Sequence, residues 1–178
     1  MKWRTEVKKS DVEAVRALVT ETGVFNAEEV LIAVELVEET LAKGKASGYE
    51  FVFADQDPDQ PPDRLSTSPS ADIKNSLLGY TCYGHISGTQ SSFDLYWIAV
   101  SPSNRRDGIG TQLMHESERL ACKSGATRMY LDTAGNEQYK PTRAFYERLG
   151  YEKAAVLKDF FAPGDDKVIY MRMLQAEI

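Results

Sequence analysis

The sequence predicts an α/β fold of the α+β kind, a sandwich built on a mixed sheet, in the order β-α-α-β-β-β-α-β-α-β-β. Three observations predict it. Apolar residues recur at helical spacing in some stretches and alternate at strand spacing in others. Glycines and capping residues fall at the ends of those stretches. The 178 residues suit one domain, 1–178, with a substantial core.

Trp3 to Val7 alternates and predicts a short first strand. Ser10 and Glu13 have the spacing of a capping box, in which hydroxyl and carboxylate each take a backbone amide of the first helical turn. Val12, Val15, Leu18 and Val19 then form one face of a helix that ends near Gly23. Asn26 with Glu29 repeats the start signal. Val30, Val34, Val37 and Leu41 make the seam of a second helix, with Gly44 as its stop. Leu31, Ile32 and Leu36 widen its apolar surface, which predicts packing on two sides or the lining of a groove.

Tyr49 to Ala54 reads as a strand. The composition then changes. Asp55 to Ser76 holds four of the seven prolines, among Asp, Gln and Ser, and offers little to bury. It is expected to be a mobile loop, 55–76, inserted between two strands of one sheet. Leu77 to Ile86 is the next strand, Gly88 marks a turn, and Phe93 to Val100 is another strand. Within it Asp94, Tyr96 and Ile98 face one way and Leu95, Trp97 and Ala99 the other. Gly108 to Ser124 predicts a helix with Ile109, Leu113, Leu120 and Ala121 inward, stopped at Gly125. Arg128 to Asp132 is a strand. Thr142, Phe145, Tyr146 and Leu149 keep helical spacing up to Gly150. Lys153 to Phe160 and Lys167 to Met173 predict a closing hairpin across Ala162 to Asp166.

Several functional classes are disfavoured. No apolar run is long enough to span a bilayer, so no membrane partner is expected. Met1 to Thr5 runs into charged sequence without the apolar core of a signal peptide, which points to the cytoplasm. A net charge of −6 argues against nucleic acid as partner and is compatible with a cationic amine. Cys82 and Cys122 are too few and too distant for a disulfide framework or a zinc site, and read as buried thiols. His85 and His115 lack companions at ligand spacing and read as structural or surface residues. No metal is expected.

The stretch with the most chemistry is Arg105-Arg106-Asp107-Gly108-Ile109-Gly110, placed between a strand and a helix. Glycine lets the backbone close around an oxyanion. The amides of Gly108, Ile109, Gly110 and Thr111 would point at it, helped by the helix dipole. Arg105 and Arg106 add charge-assisted donors. The pattern describes a pyrophosphate site, although tight turns before helices also use such glycines. A Walker loop is excluded because the Gly-Lys-Ser/Thr ending is missing. A Rossmann fingerprint is excluded because a third spaced glycine is missing.

Arg105-x-x-Gly108-x-Gly110 resembles the acetyl-CoA motif of the GNAT superfamily, written Gln/Arg-x-x-Gly-x-Gly/Ala. Leu95 to Pro102 is similar to the strand that precedes it there, and Ala144 to Tyr151 to the second signature helix and its following turn. Together these stretches lie within Phe93 to Tyr151, about a third of the chain. The resemblance implies a mostly antiparallel sheet splayed at its centre and flanked by helices on both faces. It implies acetyl-CoA as co-substrate and direct acyl transfer without a covalent enzyme intermediate. It does not supply the acceptor, which is expected to be a primary amine of a small molecule or a protein. Main-chain contacts to the pantetheine arm would come from Ile98, Ala99 and Val100, with the Ile98 amide polarising the thioester carbonyl.

The family match also implies roles for side chains. Tyr146 falls where many members place a phenol near the sulfur, suited to protonate the leaving thiolate. By periodicity alone it is a core aromatic. Asp94 corresponds to the glutamate that serves as general base in the superfamily's histone acetyltransferases. A protonated amine has no lone pair, so a base must act first. Asp94 is one methylene shorter, which suggests action through a water, and it also reads as a solvated or salt-bridged carboxylate. Tyr96, on the same face, is the fallback. There are departures. Tyr139 stands where many members have an Asn, and nearby Asn136 is out of register. Relatives acting on protein N-termini carry tyrosines in the last hairpin, where this chain has Phe160 and Phe161, expected in the core or on the wall of the acceptor pocket. A non-enzymatic acyl-CoA-binding module and a nucleotide-binding domain remain as alternatives. The oligomeric expectation is a monomer or homodimer.

Overall fold

The structure, a computed structural model, describes residues 1–57, 77–105 and 107–175. Most of the proline-rich segment assigned to the inserted loop, residues 58–76, lies outside the described residues, as does Arg106. Among the described residues there are seven strands and four α-helices. The strands are β1 (Lys2–Arg4), β2 (Glu50–Asp55), β3 (Leu77–His85), β4 (Ser92–Val100), β5 (Arg128–Ala134), β6 (Glu152–Ala162) and β7 (Asp165–Met173). The helices are α1 (Asp11–Glu21), α2 (Ala27–Lys43), α3 (Ile109–Lys123) and α4 (Lys140–Arg148). Backbone pairing runs β1-β2-β3-β4-β5-β7-β6. The sheet is mixed: β1/β2, β2/β3, β5/β7 and β6/β7 are antiparallel, and β4/β5 is parallel. This is the predicted fold class. The contacts of the chain divide into two compact units, Met1–Tyr83 with Trp97–Ser117 and Gly84–Tyr96 with Glu118–Ile178.

In the first unit, Val15, Leu18 and Val19 of α1 and Ala33 and Val37 of α2 bury their side chains against Phe51, Phe53 and Tyr80. Removing this apolar area from water is the main stabilising term. The three aromatic rings stack, with centroids 5.4 Å apart for Phe51 and Phe53 and 6.1 Å for Phe53 and Tyr80. The Asn26 capping box forms in full: Asn26 Oδ1 accepts from the Glu29 amide at 2.9 Å, and Glu29 Oε2 accepts from the Asn26 amide at 2.7 Å. The Ser10 box does not form. Ser10 has helical backbone angles and makes no side-chain cap. Its place is taken by Asp11, whose Oδ2 accepts from the Lys8 amide at 2.7 Å. Asp11 is buried and paired with Arg4, which donates to it at 2.8 and 3.0 Å and to Asp55 at 2.8 and 3.2 Å. That clamp joins β1, α1 and β2, and the Arg4 guanidinium also lies 4.2 Å from the Phe53 ring centroid. β1 therefore stops at Arg4 instead of reaching Val7. Leu31 and Ile32 are exposed on α2, so the helix does not bury a second apolar side there.

In the second unit, one face of β4, β5 and β7 is closed by Phe93, Met129, Leu131, Val168 and Tyr170, all buried. Tyr146 and Tyr151 add rings to this layer, each 6.1 Å from a tyrosine neighbour. Tyr151 donates to Glu118 Oε1 at 2.9 Å, and Arg172 donates to the same carboxylate at 2.9 and 3.1 Å. The buried Tyr151 hydroxyl and Glu118 carboxylate are thus satisfied. The closing hairpin turns on Pro163 and Gly164, tighter than predicted, with β6 reaching Ala162 and β7 starting at Asp165. Phe160 and Phe161 do not enter the core: they are 54% and 51% exposed on β6. All of β6, the last strand of the sheet order among the described residues, is exposed, and both phenylalanines fall in its irregular stretch between Leu157 and Ala162.

Candidate active site

The glycine-rich turn belongs to the first unit. After β4 the chain makes a short 3₁₀ turn, Pro102–Asn104, and passes through Gly108 into α3. Gly108 has φ +77°, the left-handed region that L side chains avoid. The first rung of the helix is the Gln112 amide on the Gly108 carbonyl at 3.0 Å. The amides of Gly108, Ile109, Gly110 and Thr111 therefore precede the helical ladder, the arrangement that suits an oxyanion. Ile109 is buried and pins the turn, while Gly108 is exposed. The Arg105 guanidinium donates to the Thr22 carbonyl at the end of α1, 3.1 Å away, instead of folding over the turn. Under the turn the strands are close. A Cβ on Gly79 of β3 would lie 2.9 Å from the Ala99 carbonyl oxygen and 3.0 Å from Leu113 Cδ1. Ala99 is buried, and Ile98 and Val100 are half-buried.

The proton-handling residues belong to the second unit. β4 pairs with β5 only through Ser92–Arg128, Phe93–Met129 and Asp94–Tyr130. β5 continues to pair with β7 as far as Ala134. Asp94, in the last of the β4/β5 pairs, is half-buried. Burial, followed by the charge of Asp132, pushes its carboxyl up from 3.8 to about 6, against an opposing pull from Lys167 and a hydrogen bond from the Leu95 amide. Lys167 Nζ donates to Asp132 Oδ2 at 2.9 Å and lies 5.0 Å from the Phe160 ring centroid.

Tyr146 is buried in the aromatic layer, as its helical periodicity predicts. Burial, then Asp132 and Tyr139, pushes its phenol well above the ordinary 10. The hydroxyl is therefore protonated throughout the neutral range. Asn136 does not serve as a stand-in for the family's Asn. Its side chain donates to Asp165 at 2.7 Å and accepts from the Gln138 amide at 3.1 Å. Tyr96 is exposed beside Asp94 on the same strand face. Asp132 and Lys167 were not singled out from the sequence. Strand alternation would have found Asp132, which shares a face with Tyr130 two residues earlier. Among the described residues no group of three or more His, Cys, Asp or Glu is placed to hold a metal.

The acetyltransferase (GNAT) domain profile matches residues 70–153. A crystal structure of a GNAT-family protein from Desulfovibrio desulfuricans is 38% identical, with a TM-score of 0.86, and the match covers 98% of this chain and 99% of that one. The chain belongs to the GNAT acetyltransferase family, whose class is acyltransferase. It is also 35% identical over 78 residues to an N-alpha-acetyltransferase of Saccharolobus solfataricus, a match to 43% of this chain and 46% of that relative's length. The chain thus spans less than half the length of that relative. An aminoglycoside 6'-N-acetyltransferase solved with coenzyme A shares the fold at a TM-score of 0.68 and 18% identity, covering 100% of this chain and 99% of that one.

Proposed function

We propose that the chain transfers an acetyl group from acetyl-CoA to a primary amine, by direct attack of the amine on the thioester. The carrying observation is Asp94, a half-buried carboxylate paired in register with Tyr130 of β5 and lying under the charge of Asp132, with its carboxyl raised to about 6. An amine acceptor arrives protonated at neutral pH and must lose a proton before it attacks. A carboxylate with a pKa near 6 is ionised at pH 7 and is a stronger base than an ordinary aspartate. Asp94 takes that proton, directly or through one water. Tyr146, held protonated, is the donor on the leaving side. The residues around the glycine turn fit the co-substrate: the amides of Gly108 to Thr111 would hold its pyrophosphate, and the main chain of Ile98 to Val100 its arm. Acetyl-CoA supplies the activated acyl group and a thiolate leaving group. The solved relative with coenzyme A supports this choice. A binding-only module would need the turn and not the tuned carboxylate.

The test has two parts. Acetyl-CoA at about a hundred times its dissociation constant should stabilise the fold by about 2.7 kcal/mol in a thermal titration, with ADP giving less. CoA release should then be followed across a panel of small amines and peptides with free amino termini. No stabilisation by acetyl-CoA or CoA would remove the co-substrate. Stabilisation without turnover on any amine would favour the binding module.

A further inference from the structure

Three charged side chains share one face of adjoining strands in the second unit. Asp94 on β4 is the register partner of Tyr130 on β5. Asp132 follows two residues on, and so points to the same side. Asp132 is the register partner of Ile169 on β7, and Lys167 lies two residues from Ile169, again on that side. The chain closes this row itself, through the 2.9 Å contact of Lys167 Nζ with Asp132 Oδ2. The Asp132 and Lys167 side chains are 38% and 23% exposed, so the pair is reachable by solvent yet not fully screened. Beyond Lys167 the row ends on the Phe160 ring.

The other groups around Asp94 are accounted for. His85 on β3 sets its ring edge-on to Phe93, 5.4 Å between centroids, and Phe93 alternates to the opposite side of β4. Tyr130 and Tyr96, on the same face, bring phenol rings and neither a carboxylate nor an ammonium group. Tyr146 on α4 stays protonated. Among the described residues the charges acting on Asp94 are a negative one on β5, Asp132, and a positive one on β7, Lys167, in opposite senses.

We infer that Asp132 and Lys167 are positioning residues for proton removal by Asp94: their ion pair sets two opposed charges beside it and holds it ready to accept the acceptor's proton. This rests on the reading of Asp94 as the proton acceptor. Asp132 increases the proton affinity of Asp94, which strengthens the base. Lys167 restrains that increase and keeps the carboxylate empty at neutral pH. Neither group needs to touch the acceptor. The proton passes from the acceptor nitrogen to an Asp94 oxygen, and neither Asp132 nor Lys167 takes it up.

The experiment compares Asp132→Asn, Asp132→Glu and Lys167→Met with the parent by two measurements. The first is the ¹³C titration of the Asp94 side chain, which requires no activity. The second is the acid limb of the kcat/KM profile for acetyl transfer. Removing the negative neighbour in Asp132→Asn should move the Asp94 titration to lower pH, and Lys167→Met should move it higher. Each displacement should be roughly half a pH unit to one and a half, for charges a diagonal neighbour's distance apart in partly screened surroundings. Asp132→Glu keeps the charge and should stay close to the parent. Opposite displacements in the first two variants, followed by the acid limb, support the inference. No displacement, or displacement in one common direction, overturns it. A titration that moves while the acid limb stays in place overturns the assignment of Asp94 as base instead.

Discussion

Replacing Asp94 by Asn should stabilise the protein while slowing it. The reason is the raised carboxyl. Folding moves it from 3.8 to about 6, so the folded state holds its proton more tightly than the unfolded state. Below about pH 3.8 both states are protonated and the carboxyl is neutral to stability. Between those values the unfolded chain ionises first and gains. Above about pH 6 the full cost of keeping a carboxylate at that site is present. Two pH units correspond to ~3 kcal/mol, which partial exposure reduces to about 1–2 kcal/mol. Asn is isosteric and carries no charge, so it removes the cost. Urea unfolding of parent and Asp94→Asn should therefore give equal stabilities near pH 3.5 and a gain of about 1–2 kcal/mol for the variant at pH 7.5. Comparing the two proteins at each pH cancels the titration of all other carboxylates. Equal stabilities at both pH values, or a variant less stable at pH 7.5, would refute the reasoning. The rate should fall by ~10²–10⁴-fold at neutral pH and recover partly at high pH, where the acceptor loses its proton to solvent.

The other predictions concern the turn, the phenol and the clamp. Gly108→Ala meets open space, its nearest contact being Gln112 Nε2 at 3.8 Å, so its penalty is the left-handed φ of +77°. It should cost about 1 kcal/mol in stability and weaken acetyl-CoA by a larger factor, read by thermal melting and by titration calorimetry. Tyr146→Phe should leave acetyl-CoA affinity unchanged and lower kcat by ~10²-fold or less, because a thiolate leaves readily. Unchanged kcat would make the ring a packing residue only. Arg4→Met leaves Asp11 buried without its guanidinium partner and should cost about 3 kcal/mol, measured by urea unfolding. A loss under 1 kcal/mol would show that the Lys8 amide alone suffices for Asp11.

What the sequence revealed and what it concealed divide by range. The Asn26 capping box, the helix stops at Gly125 and Gly150, and the alternation through β4 are signals contained within a few residues, and each appears where it was read. The Ser10 box is equally local on paper, yet it fails. Asp11 has a better use: Arg4 lies seven residues before it and Asp55 further along the chain, and only folding brings the three together. The same holds for Asp132 and Lys167, which no spacing rule connects, because antiparallel pairing of β5 with β7 is what makes them neighbours. Phe160 and Phe161 read as core or as the wall of the acceptor pocket, and the core half fails for a related reason: core assignment needs a covered face, and every residue of β6 is exposed. The splay at the centre of the sheet is an implication of the family resemblance alone; alternation continues unbroken through Val100 and gives no hint of it.

Asp132 acts on both proposed ends of the proton traffic, and it does not serve them equally. Its charge raises Asp94, which makes a better base, and raises Tyr146, which makes a poorer acid. The imbalance suits the chemistry proposed. An alkylammonium holds its proton near pH 10, far above neutrality, so removal of that proton is the demanding step. A thiol has a pKa near 8.5, so its thiolate leaves with little help. A site tuned by one charge would place that charge where the base gains, and accept a weaker donor. The order of kcat losses at pH 7 should follow: Asp94→Asn larger than Tyr146→Phe. Asp132→Asn, which weakens the base and strengthens the acid, should slow attack by a strongly basic amine more than attack by a weakly basic one. Equal slowing of both amines would mean that Asp132 does not act through the base.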